Sequence, residues 1–97
     1  MDMSEESERF LAMTRALSDP NRVQIMEILK GQRMCSCTIL SFMDISQPTL
    51  SHHMSVLLEA GLVRTIPTGR WYDYVIDDEG LAFMESYLKG LSPDRLT

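Results

Sequence analysis

Ninety-seven residues with 44% apolar and 24% charged side chains describe one folded domain over 1–97, too apolar for a disordered chain and small enough to gain from a partner subunit. No apolar run approaches the roughly 18 to 20 residues that cross a bilayer, and the acidic start Met1-Asp2-Met3-Ser4-Glu5-Glu6 lacks the form of a secretory signal, so a cytoplasmic chain without membrane contact is expected. The net charge of −5 counts against phosphate binding only as a sum: residues 1–19 carry two basic against five acidic groups and residues 73–97 two against six, whereas residues 20–72 carry Arg22, Lys30, Arg33, Arg64 and Arg70 against three acids.

Phe10, Leu11, Met13, Thr14 and Leu17 follow an acidic first turn at helical spacing and predict a first helix over about 5–17. Asp19 reads as an N-cap with Pro20 at the first helical position, and Val23, Ile25, Met26, Ile28 and Leu29 give a largely buried second helix that stops at Gly31. Residues 34–43 predict a short third helix, weakened by β-branched and cysteine content. After a turn at Asp44-Ile45-Ser46, Ser46 caps the best-defined helix, whose stripe Leu50, Met54, Leu57 and Leu58 ends at Gly61. Leu62–Ile66 and Trp71–Ile76 alternate around the turn residues Pro67-Thr68-Gly69-Arg70, which predicts a β-hairpin. Leu81, Phe83, Met84, Tyr87 and Leu88 return to helical spacing up to Gly90, and flexible ends are expected at 1–4 and 92–97.

These pieces assemble most economically as a mostly α chain with a small β-hairpin, a winged helix-turn-helix of about five helices and a two-stranded wing. The first two turns of the fourth helix carry Ser46, Gln47, Thr49, Ser51 and His52. Such short polar groups at a helix start reach base edges and phosphates, although they are also ordinary at a solvated helix start. Arg64 and Arg70 bracket the hairpin tip, where arginines meet phosphate or the minor groove. Trp71 and Tyr72 could be interfacial contacts, but aromatics on a hairpin's inner face more often pack on the core, and Trp71 is expected to pack inward. His52 and His53 point about 100° apart on a helix, so they do not form a metal pair, and His53 is expected to be partly buried with a hydrogen-bond partner. Cys35 and Cys37 do not make a secreted disulfide framework and are expected to be reduced thiols. No phosphate loop, activated nucleophile or carboxylate pair suggests an enzyme.

Three stretches carry a resemblance that spans nearly the whole chain: Ala16-Leu17-Ser18-Asp19-Pro20-Asn21-Arg22-Val23-Gln24-Ile25, Asp44–Met54 followed by Leu57-Leu58-Glu59-Ala60-Gly61-Leu62-Val63, and Gly69-Arg70-Trp71-Tyr72-Asp73-Tyr74. Together they resemble the ArsR/SmtB family of metal-responsive repressors. The resemblance implies a homodimer joined through the first and last helices and bound to a roughly palindromic operator in double-stranded DNA. It also places Cys35 and Cys37 where arsenic, cadmium and lead sensors carry a Cys-x-Cys pair, with no obligatory cofactor but As(III) or another thiophilic ion as inducer. Leu40 stands where many arsenite sensors have a third cysteine, and the N-terminal arm has no cysteine; water, a small thiol, or Glu5, Glu6 or Glu8 of a partner chain could complete the set. The zinc site of the last helix is not expected, because Asp78–Gly90 contains no His.

Positions two apart on a regular helix diverge by about 200°, so gripping one ion with both sulfurs is expected to distort the third helix. Other roles stand beside metal sensing: thiol-redox or reactive-sulfur sensing by the same fold, disfavoured by the strained ring of a Cys35–Cys37 disulfide; cysteines that merely pack; or an acidic winged-helix module that binds protein.

Overall fold

The computed structural model describes residues 4–93, so of the expected flexible ends only Ser4, Ser92 and Pro93 fall within the described residues. The element order is α1 (Glu5–Ala16), α2 (Pro20–Ile28), α3 (Ser36–Ser41), α4 (Gln47–Glu59), β1 (Val63–Thr68), β2 (Trp71–Ile76) and α5 (Asp78–Gly90). This is the winged helix-turn-helix expected from the sequence, with β1 and β2 paired antiparallel as the wing.

The helix boundaries follow from side-chain caps. Ser4 accepts a hydrogen bond from the Ser7 N–H before three glutamates in the first turn of α1, Asp19 accepts from the Asn21 and Arg22 N–H groups ahead of Pro20, and Asp77 accepts from the Gly80 N–H. Each cap satisfies donors that the first turn of a helix leaves free. The third helix is shorter than expected, six residues against ten. A helix of that length does not persist by itself; it is held because Ile39 is completely buried, a contribution of about 1.5–3 kcal/mol. Met13, Ile25, Leu29, Leu50, Met54, Leu57 and Leu62 complete a core drawn from α1, α2, α4 and the start of the wing.

The strands pair from Val63↔Ile76 to Thr68↔Trp71, leaving Gly69-Arg70 as a two-residue turn. Gly69 has φ +63° and Arg70 does not share the left-handed region, the pattern of a turn with glycine at its first central position. Met34 adds one further rung, donating its N–H to Tyr74 O and accepting from Tyr74 N–H, so the chain entering α3 lies against the wing. Among the described residues no helix is long and apolar enough to cross a membrane.

Helix α5 meets the α4–β1 turn through Gly80. A Cβ at this position would fall on the carbonyl oxygen of Gly61 and within 3.3 Å of the Met13 side chain. Gly→Ala within a helix ordinarily gains close to 1 kcal/mol, but here the backbone stands in the way. Gly80→Ala is therefore expected to lose about 1–3 kcal/mol, seen as a lower urea midpoint at unchanged slope. A midpoint that rises instead would show that α5 can shift off Gly61 at no cost.

Candidate functional site

Helix α4 is oriented by what it buries. Leu50, His53, Met54 and Leu57 face inward, at i, i+3, i+4 and i+7, which turns Gln47, Thr49, Ser51 and His52 to solvent. Ser46 is the N-cap: its hydroxyl accepts from the Thr49 N–H at 3.3 Å and donates to Thr49 Oγ1 at 2.9 Å, so these two hydroxyls are engaged with each other. The neighbouring histidines have opposite surroundings, as expected. His52 is exposed, whereas His53 is buried and its Nδ1 lies 3.1 Å from Arg22 Nη1. A guanidinium can only donate, so Nδ1 accepts.

Arg64 in β1 and Arg70 in the turn are exposed, and neither side chain has a hydrogen bond or ion pair among the described residues. Arg33, which sequence reading counted only as charge, is engaged: Nε donates to Asp73 Oδ2 at 3.0 Å and Nη2 to Thr68 Oγ1 at 3.0 Å, fastening the segment before α3 to the wing. Trp71 departs from expectation. It is 76% exposed, because it sits on the rung beside the turn and shares the outer face of β2 with Asp73; Tyr74 is the aromatic that enters the core.

The thiols lie at the start of α3. Cys35 is the N-cap, with extended backbone at φ −74° and ψ 164°, and so is not subject to helical periodicity. Its Sγ lies 2.7 Å from Cys37 Sγ and 3.2 Å from Thr38 Oγ1. The expected distortion of the helix is thus unnecessary for convergence: the sulfurs already meet with α3 intact. Both are free thiols. Hydrogen bonds from Cys37 and then Thr38 stabilise the Cys35 thiolate and bring its pKa down to about 7. Donating to Cys35 pushes the Cys37 thiol up, so the pair favours sharing one proton.

A cleft of about 690 Å³ brings the two halves together, with Cys35 and Cys37 on one wall, Gln47 from α4 on another, and Arg70, Trp71 and Tyr72 from the wing on the third. On its inner side Cys37 and Gln47 line a second cavity of about 280 Å³ with Leu40, Ser51 and Tyr72. His52 and Arg64 lie outside both. No cluster of three or more His, Cys, Asp or Glu side chains suited to a metal occurs among the described residues, so this chain brings two sulfur donors and not a third. Tyr72, weighed from the sequence as a possible interfacial contact, lines both cavities; nothing in the spacing signalled Thr38 or Arg33, which join the site only through the fold.

Residues 19–65, from the cap of α2 through α4 into the wing, match the family described as bacterial regulatory protein, arsR family. The chain is 38% identical over 74 residues to an arsenical resistance operon repressor of Staphylococcus xylosus, an alignment that takes in 76% of this chain and 71% of that one. The chain belongs to the ArsR family. An uncharacterized HTH-type transcriptional regulator of Methanocaldococcus jannaschii is 36% identical over 76% of this chain and 85% of its own. In fold, the chain resembles a homodimeric winged helix-turn-helix DNA-binding domain of Mycobacterium bovis, described as a possible ArsR-family regulator, with a TM-score of 0.73 at 20% identity over 97% of this chain and 91% of that one. As an ArsR-family protein it is a DNA-binding transcriptional regulator and not an enzyme.

The proton shared by the thiols has a measurable consequence. Alkylation by iodoacetamide, followed by mass spectrometry, is expected to begin at Cys35 with a rate that rises through a midpoint of about 7. An isolated cysteine rises through about 8.5. Removing the hydroxyl in Thr38→Val is expected to move the midpoint upward; an ordinary thiol midpoint in the unaltered chain would rule out the Cys35–Cys37–Thr38 hydrogen bonding.

Proposed function

We propose that this ArsR-family regulator is a homodimeric repressor that leaves its operator when a thiophilic metal(loid) such as As(III) is held by Cys35 and Cys37. The observation that carries the reading is the convergence of the two sulfurs, 2.7 Å apart, in the same cleft as Gln47 and Arg70. Thiolates are soft donors matched to such ions, and a thiol that ionises near neutral pH is ready to bind one without a large proton penalty. A relative at 38% identity is named an arsenical resistance operon repressor, which supports the same ligand class. In this reading Gln47, Thr49, Ser51 and His52 meet base edges or phosphate, Ser46 caps the helix that presents them, and Arg64 and Arg70 contact the backbone from the wing. The protein then works in the cytoplasm, where DNA and reduced thiols coexist.

The test is an operator titration by fluorescence anisotropy at fixed salt, with the operator chosen by selection from random sequences. Arsenite is expected to weaken binding by the unaltered chain and to have no effect on Cys35→Ser or Cys37→Ser. Unchanged affinity in arsenite, antimonite, cadmium and lead would sink the sensing assignment.

The lowered Cys35 pKa also favours a second reading, release by modification of a reactive thiol. Peroxide or a persulfide donor would then release the operator where metals do not.

Dimerisation has its own support. Helices α1 and α5 pack through Phe10 stacked on Tyr87 at 4.2 Å, the Ser7–Tyr87 hydrogen bond and Arg9 over the Phe83 ring, yet α5 still exposes Leu81 and Leu88, with Leu91 just beyond it. The chain has a radius of gyration of 15.2 Å and spans 50 Å. A compact chain of this size measures about 12 Å, so this chain is elongated. Leu88→Glu is expected to yield monomers in sedimentation velocity and to cost operator affinity at least about tenfold. A stable dimer in that variant would place the interface elsewhere.

A further inference from the structure

The sulfur pair raises a mechanical question that the geometry answers. Were both sulfurs on a regular helix, pointing about 200° apart, an occupant would have to unwind α3 and thereby disturb α4. Here Cys35 precedes the helix, the sulfurs already converge, Met34 is locked to Tyr74 by two backbone hydrogen bonds, and Ile39 anchors α3 in the core. Convergence of the sulfurs requires no unwinding of α3. What an occupant does meet is the cleft itself, whose opposite walls are Gln47 on α4 and Arg70, Trp71 and Tyr72 on the wing. Cys37 is exposed on this path and lines both the outer cleft and the inner cavity beneath Gln47 and Ser51.

We propose that the sulfur pair and DNA occupy one composite cleft, so that an occupant of Cys37 excludes DNA directly by standing between the α4 start and the wing. This rests on the reading of α4 and the wing as the DNA-facing surface. Two consequences separate it from a coupling relayed through helix motion. First, protein, DNA and occupant form no ternary complex, so the apparent dissociation constant for DNA keeps rising in proportion to occupant concentration. A relayed coupling levels off at a finite factor, typically about 5- to 150-fold. Second, bulk at Cys37 suffices, and no ion or second sulfur is required.

The experiment uses the full chain carrying Cys35→Ser, which leaves Cys37 as the one thiol. Iodoacetamide and N-phenylmaleimide are the probes, and the selected operator fragment is the DNA. Operator is expected to slow alkylation of Cys37 at least about tenfold at saturation, in step with its occupancy, since access then requires dissociation. The small carbamidomethyl adduct is expected to weaken operator binding less than the bulky phenylmaleimide adduct. As a control, Gln24→Cys in a Cys35→Ser, Cys37→Ser chain places the same adducts on exposed α2, outside the cleft, where DNA neither protects the thiol nor is displaced.

Equal alkylation rates in free and bound protein, or operator affinity retained with phenylmaleimide on Cys37, would overturn direct exclusion. So would weakening by arsenite, in the unaltered chain, that levels off with DNA still bound. If adducts on Cys37 exclude DNA while arsenite does nothing, exclusion stands and the metal(loid) assignment falls. If the unmodified chain binds no selected sequence, both fall together.

Discussion

Two backbone hydrogen bonds between Met34 and Tyr74, at 3.1 and 2.8 Å, set the geometry on which the rest of the site depends. They make the chain before α3 a one-rung strand beside the wing, with both residues buried. Met34 immediately precedes Cys35, so the wing, more than the short α3, decides where the first sulfur stands. Arg33 reinforces the arrangement from the exposed side through Asp73 and Thr68. An exposed ion pair of this kind is worth at most about 1 kcal/mol, whereas leaving the buried Met34 or Tyr74 backbone groups unpaired costs about 1–3 kcal/mol each. The backbone rung is therefore the stronger constraint, and Arg33 limits the swing of the hairpin around it.

A second fixed point sets α4. Arg22 donates from Nε to the Ala16 carbonyl at 2.6 Å and from Nη1 to His53 Nδ1, joining the end of α1, the start of α2 and the middle of α4 at one largely buried guanidinium. Asp19 completes the corner. Burial alone would raise its pKa, but hydrogen bonds from the Arg22 and Asn21 N–H groups, with the Arg22 charge, outweigh that and hold the carboxylate below its usual value. His53 is captured on the inner side of α4, while Gln47, Ser51 and His52 in the turns before it are exposed. The rigid corner and the wing rung thus bring the polar start of α4 and the thiols to opposite walls of one cleft.

Much of this was legible in the sequence because the signals were local. Asp19-Pro20 and Ser46 mark helix starts by chemistry that acts over three residues, and Pro67-Thr68-Gly69-Arg70 mark the hairpin turn. The stripe Leu50, Met54 and Leu57 identified the inner face of α4, and the ordered motifs identified the family. What failed depended on parity or on contacts distant in sequence. Trp71, Tyr72, Tyr74, Val75 and Ile76 are all apolar or aromatic, so alternation alone did not say which face was inner; Asp73 was the discriminating residue, and it places Trp71 outward. The sulfur geometry was missed for a related reason. Cysteine is not a usual N-cap, and Cys35 makes no side-chain cap hydrogen bond, so a helix starting one residue after it carried no local mark.

The acidity of the chain is compatible with this surface because its acids are locally occupied. Glu5, Glu6 and Glu8 sit in the first turn of α1, and Asp78 and Glu79 in that of α5, where negative charge stabilises the helix start. The one acid on the wing strands, Asp73, is bound by Arg33. Arg64 and Arg70 remain on the hairpin with no intramolecular partner among the described residues. With Arg64 and Arg70 as the proposed phosphate contacts, two such cations per chain release few counterions, and in that reading the contacts inside the cleft supply much of the remaining affinity. Under the proposed exclusion, that balance makes the cleft an effective point of control. An occupant there takes away Arg70, half of the hairpin's free positive charge, together with the approach to Gln47, whereas the same occupant elsewhere on the chain would remove neither.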